Sequence, residues 1–287
     1  MTRNYSNQLE KYLTQNKLHI IISSLQLIEY YSPIIQQDDR TNRAIQLLTK
    51  CPFVIISQED IFSKEEEAYP NILTVLPYKL ESVKVMSHLD TEERNTLLFQ
   101  MLHEGISGTD FDLKRWATDY NESKLDWPKC AKAIIQDAEA KNTIKSKAKF
   151  LQSLDLRFCK RILDASEKLD DTSKHDAQFK RYSKKLANML GRMDTWRMRG
   201  IHLSSLIFWH DYVVSNKKIK ESDQGDLFHS MIFPYCSVVI TDNSKVDCLE
   251  NIQRKEYRYK EVQFLNMYDY STVISTSTKR YLFAAPQ

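Results

Sequence analysis

Four carboxylates stand where chemistry is conceivable: Glu29, Asp223, Asp226 and Asp242. Three of them bracket one apolar segment, DQGDLFHSMIFPYCSVVITDN, residues 223–243. Clustered carboxylates repel and raise one another's pKa. A divalent cation relieves that repulsion. Mg²⁺ prefers a few carboxylates with several retained waters, and couples them to phosphate oxygens. Such a site activates water and stabilises the leaving oxygen of a phosphodiester. Glu29, Asp226 and Asp242 are therefore the candidate catalytic residues and metal ligands, with Asp223 as a further ligand and Mg²⁺ or Mn²⁺ as the ion.

For these acids to meet, the elements between them must bring them to one edge. Residues 223–234 read as a helix and 237–241 as the strand that follows. About 11 helical steps of 1.5 Å span about 16 Å. Five strand residues at about 3.3 Å span the same. A helix feeding a parallel strand runs antiparallel to it, so Asp226 and Asp242 share the carboxyl edge, where open α/β sheets bind ligands. The strand HIIISS, 18–23, ends at that edge if it is parallel to SVVIT, which puts Glu29 about one and a half turns into the next helix. Each acid also has a purely structural role open to it. Asp223 suits an N-cap with Asp226 at the third helical position. Asp242 with Asn243 suits a turn, and Glu29 suits an exposed helical face. His229, one turn after Asp226, either orients a carboxylate or contacts phosphate, or is simply packed. His202 and His210 lie two turns apart, a poor metal spacing that favours core packing.

The rest of the chain reads as strands at both ends with helices between. HIIISS is followed by helix LQLIEYYSPII, with Ser23 and Ser24 able to cap it. Residues 43–49 read as helix, CPFVIIS (51–57) as strand, DIFSKEEEAY as helix and NILTVL as a short strand. From Thr91 the spacing becomes helical. GISGTDFD is a loop, and 113–190 is helical with turns near 126–128 and 170–173. SVVIT and EVQFLN restore strand character, with another strand open beyond. The class is α/β, interrupted by a large all-helical insertion.

Composition removes several alternatives. Five glycines in 287 residues is far below the usual share of about 7%. No GxGxxG, Walker A loop, GxSxG elbow or HExxH occurs. Five cysteines, at 51, 130, 159, 236 and 248, are scattered singly, which argues against structural zinc or a disulfide framework. The longest apolar run, LSSLIFWHDYVV, is broken by His210 and Asp211, and the N-terminus carries no apolar signal region. A soluble, cytoplasmic protein without a membrane span is expected. Net charge is +3, yet residues 132–199 hold 17 Lys+Arg against 9 Asp+Glu. That surplus suits a polyanion, or is a solvated helical face.

Two stretches, IIISSLQLIEYY and SDQGDLFHSMIFPYCSVVITDN, resemble the PIN-like nuclease superfamily. The first is similar to the family's strand and acid-bearing helix. The second is similar to its acid-opened helix and a strand ending in Thr-Asp. The resemblance implies a mostly parallel central sheet flanked by helices, built from 1–80 and 200–287, with 81–199 inserted. It places Glu29 at the second acidic position, Asp226 at the third and Asp242 at the fourth. Thr241, Asn243 and His229 then support them. It implies metal-dependent endonuclease activity, usually on RNA. The family's first acid ends an initial strand, whereas this chain opens with MTRNYSNQLEKYL, without an aspartate. Either a strand precedes Met1 in the natural protein or that ligand is lacking; Asn4 is neutral and a poor substitute. In the second case a catalytically degenerate scaffold or binding subunit is the alternative. Arg197, Arg199, Lys217, Lys218 and Lys220 are the residues expected to guide RNA or another single strand. Leu, Phe and Trp at helical spacing in the insertion offer a surface for a protein partner or a second copy of the chain.

Overall fold

The computed structural model describes residues 11–13, 15, 20–31, 53–56, 61, 65, 113–167 and 195–266. The readings made for 43–49, most of 60–69, 71–76, 91–112, 168–194 and the segment after 266 lie outside them. The described part is mostly helical, with two parallel strand pairs.

Strand β1 (Ile20–Ser23) leads directly into helix α1 (Ser24–Tyr31) and pairs in parallel with β2 (Phe53–Ile56), Ile20 opposite Phe53 and Ser23 opposite Ile56. The sequence Ser-Ser-Leu-Gln makes this junction a capping box. Gln26 N–H donates to Ser23 Oγ at 3.1 Å, and Ser23 N–H donates to Gln26 Oε1 at 2.8 Å.

Two long helices follow, α2 (Leu113–Ala140) and α3 (Lys147–Glu167). In α2 the buried residues Ala117, Tyr120, Trp127, Ala131 and Ala138 recur every three, four or seven positions, one stripe of a helix. The turn expected at 126–128 is absent: the helix runs through Pro128. Proline removes one N–H from the ladder, but Trp127 and Ala131 on either side are fully buried and carry the helix across. The chain turns instead at 141–146, where Asn142 adopts a left-handed φ of 54°. Asparagine tolerates that conformation better than most residues. Thr143 Oγ1 closes the helix end by donating to the Ala138 carbonyl at 3.2 Å.

Helix α4 (Arg199–Phe208) is buried along its whole length. It continues as a π-helical turn, Trp209–Val214. Around it Trp127, Phe150, Phe158, Leu206, Phe208, Val239, Leu249 and Phe264 form one core. The helices of 113–167 thus share a core with 198–264. Burying side chains such as Phe150 and Phe208 contributes about 1.5–3 kcal/mol each.

Helix α5 (Asp223–Ser230) begins where expected but ends four residues early. Pro234 lacks an N–H and disfavours helix in the residue before it, so the chain passes through a 3₁₀ turn, Phe233–Tyr235. Strand β3 (Val238–Thr241), helix α6 (Asn243–Lys255) and β4 (Gln263–Asn266) then form a parallel β-α-β unit. Among the described residues the pairs β1–β2 and β3–β4 are not hydrogen-bonded to each other, where one continuous sheet was expected. Among the described residues no helix is long and apolar enough to cross a membrane.

Candidate acidic site

The capping box at the end of β1 fixes the first part of the site. Ser23 is buried, and its Oγ lies 2.7 Å from His229 Nδ1. His229 Nε2 in turn lies 3.3 Å from Glu29 Oε2. His229 thus bridges Ser23 and Glu29 through its two ring nitrogens. On the other side the Tyr120 hydroxyl donates to Glu29 Oε1 at 2.8 Å. Glu29 is therefore gripped by α2 and α5 at once. Burial pushes its carboxyl up, but His229, Tyr120 and Lys124 together bring it below the usual carboxylate range.

Glu29 also sits against the backbone of α5. A Cβ added to Gly225 would lie 2.8 Å from Glu29 Oε1 and 2.3 Å from Tyr120 Oη. Only glycine allows this approach. The next residue is Asp226, whose side chain reaches solvent. The surrounding protein still pushes its carboxyl up, and Asp223 adds to this, while Lys245, His229 and Lys217 oppose it. Both Glu29 and Asp226 raise the Tyr120 phenol, after burial itself.

Asp242 follows β3 and caps α6. Its Oδ1 accepts from Ser244 Oγ at 2.6 Å and from Lys245 N–H at 2.9 Å. The protein around it pushes the carboxyl up, but those bonds and the Lys245 charge hold it below the usual range. Thr241 is half-buried at the end of β3, and Asn243 is exposed. Asp223 is buried and turned toward its own turn, accepting Lys220 N–H at 2.8 Å and facing Lys217 Nζ at 3.8 Å.

Glu29 and Asp226 thus share His229 as a neighbour, and Asp226 and Asp242 share Lys245. Lys245 Nζ is buried and lies 3.6 Å from Asp211 Oδ2; Lys217 Nζ lies 3.3 Å from the same oxygen. Among the described residues the one trio with ligand atoms within 4.8 Å of one another is His210, Asp211 and Cys248, not the three acids. In that trio Asp211 already faces two ammonium groups, and burial pushes the Cys248 thiol up to about 12. His202 is a core histidine, bonded to Asp155 at 2.9 Å.

The residues expected to guide a strand divide. Arg199 is buried, its guanidinium donating to the Arg258 carbonyl, so it leaves the set. Lys217 faces the acids rather than open solvent. Lys218 and Lys220 are exposed and Arg197 is half-buried. Sequence reasoning missed Tyr120 and Lys245. Lys245 had a readable signal, three residues after an Asp that opens a helix. Tyr120, 91 positions from Glu29, had none.

The all-oxygen donor set suits a hard cation. Mg²⁺ keeps several waters and takes only one or two protein carboxylates directly, so an ion here would not need all three acids as direct ligands. Burial first, then Asp223, raises the Asp226 carboxyl despite Lys245, His229 and Lys217. No family model, curated protein or solved structure matches the chain.

Proposed function

We propose that the chain is a PIN-like endonuclease, dependent on Mg²⁺ or Mn²⁺, that hydrolyses phosphodiester bonds of RNA or another single-stranded nucleic acid. The observation that carries this reading is the seating of Glu29 against Gly225, beside Asp226, across almost 200 residues of sequence. In this reading 1–80 and 200–287 form the PIN-like core and 81–199 the helical insertion. Asp226 and Asp242, with Glu29 behind them, would hold the ion. The ion would lower the pKa of a bound water and neutralise charge on the phosphate. His229 and Tyr120 orient Glu29. Lys218 and Lys220 attract the backbone.

Labelled RNA and single-stranded DNA, incubated with and without Mn²⁺, test it. Cleavage that needs Mn²⁺ and drops about 10²-fold or more in Asp226→Asn is expected. Cleavage that persists in EDTA, or in the variant, contradicts it.

Lys245 favours a second reading, a catalytically degenerate binding subunit. Its buried ammonium offsets charge on Asp226 and Asp242, the part a cation would otherwise take. Under this reading no Mn²⁺ binds the wild type, and Lys245→Met creates Mn²⁺ binding.

A further inference from the structure

The opposite end of the β3-α6-β4 unit carries a surface of different chemistry. Helix α6 spans 13 residues, about 20 Å, and its far end enters a 3₁₀ turn, Tyr257–Tyr259. Two large aromatic side chains are exposed among the described residues, and both are here: Tyr257 is 81% exposed and Trp196 38%. Cations interleave with them. Arg258 lies 4.8 Å and Arg197 5.3 Å from the Trp196 ring centre, and Lys260 lies 4.6 Å from that of Tyr257.

The platform is held rigidly. Tyr259 is buried and donates to the Arg199 carbonyl at 3.0 Å. Gln253 Nε2 donates to the carbonyls of Tyr259 and Val262 at 2.7 and 2.6 Å. The Arg258 guanidinium donates to the Trp196 carbonyl, tying the two turns together. Of the acids here, Glu256 is matched by Lys147 at 3.3 Å and by Arg258 at 3.6 Å, while Glu250 and Glu261 are exposed. Arg254, Lys255 and Lys260 are exposed and Arg197 and Arg258 half-buried, so the surface is net positive.

We propose that this aromatic and basic surface binds single-stranded nucleic acid, with unpaired bases stacking on Tyr257 and Trp196 and phosphates meeting Arg254, Lys255 and Lys260. Exposed rings interleaved with cations match both halves of a single strand, its base faces and its phosphates. An acidic peptide would use the cations but leave the rings idle. The inference deepens the nuclease reading by giving the strand a second hold about 20 Å from the acids.

The test is anisotropy of a labelled oligouridine 12-mer in EDTA, using Asp242→Asn as the parent so that binding is read apart from cleavage. The parent binds. Tyr257→Ala weakens binding at least about tenfold, Tyr257→Phe restores it, and melting temperatures stay equal. Lys260→Gln lowers the salt slope by about one. The proposal is overturned if the parent does not bind, if Tyr257→Ala binds like the parent, or if polyglutamate displaces the strand as well as unlabelled oligouridine does. Binding by the parent, together with no Mn²⁺-dependent cleavage by the wild type, would defeat the nuclease reading alone.

Discussion

Glu29 and Asp242 at the surface and Glu65 in the core treat the same functional group in opposite ways. At the rim, Glu29 and Asp242 are held below the usual range by His229, Lys245, hydroxyls and N–H donors. In the core, Glu65 is fully buried and accepts Gly200 N–H at 2.5 Å and the Tyr235 hydroxyl. Burial nevertheless lifts its carboxyl to about 7, and Asp155 adds to the rise. Its Oε2 is buried without a hydrogen-bond partner among the described residues. Glu65 meets the cost of burial by holding a proton up to about pH 7. Glu29 and Asp242 meet it with cations and donors, and so keep their charge.

The largest expected effect comes from breaking the core side. Asp155 is fully buried and accepts from Thr195 Oγ1 at 2.8 Å and faces His202 Nδ1 at 2.9 Å. Asp155→Ala orphans both partners and is expected to cost about 3 kcal/mol or more in urea unfolding. A cost below about 1 kcal/mol would mean the pair is not formed.

Glu65 comes next, through pH. A carboxyl raised to about 7 when folded favours the folded state fully only below its ordinary pKa of about 4.5. That contribution is lost as pH rises toward 7, on the order of 3 kcal/mol in all. Glu29 and Asp242, being depressed, act in the other sense: their contribution holds above the ordinary carboxylate pKa and is lost as pH falls through their lowered values. Glu65→Gln should flatten the decline in melting temperature between pH 5 and 7. An unchanged slope would remove Glu65 from the account of pH stability.

Gly225→Ala drives a methyl group into the Glu29 and Tyr120 contact. An expected cost of roughly 1–3 kcal/mol should come with weaker Mn²⁺ binding; a neutral substitution would show that Glu29 does not sit there. The smallest effect sharpens the rim. Asp242→Ala loses a helix cap worth about 1 kcal/mol, whereas Asp242→Asn keeps it, since Asn caps as well as Asp. Equal melting temperatures for Asp242→Asn and wild type would make that variant a clean probe of chemistry.

Much of the fold was legible in the β-branched runs IIIS, FVII and VVIT, all of which form strands, and in the acid that opens α5. The break in the long helical stretch was misplaced because Pro128 is a strong local signal, overruled by the packing of Trp127. At the site, the capping serine and the positions of Asp226 and Asp242 were readable from local rules. Tyr120 on Glu29 was not, because it is a tertiary contact that no spacing encodes; the cap contact of Lys245 was readable, but its reach to Asp226 and Asp211 was not.

Calorimetric titration with Mn²⁺ tests most directly whether the rim acids act together. One ion is expected to bind the wild type, with binding lost in Asp226→Asn and in Asp242→Asn while both stay folded. Absence of heat in the wild type, or undiminished binding in both variants, would contradict a shared cation site.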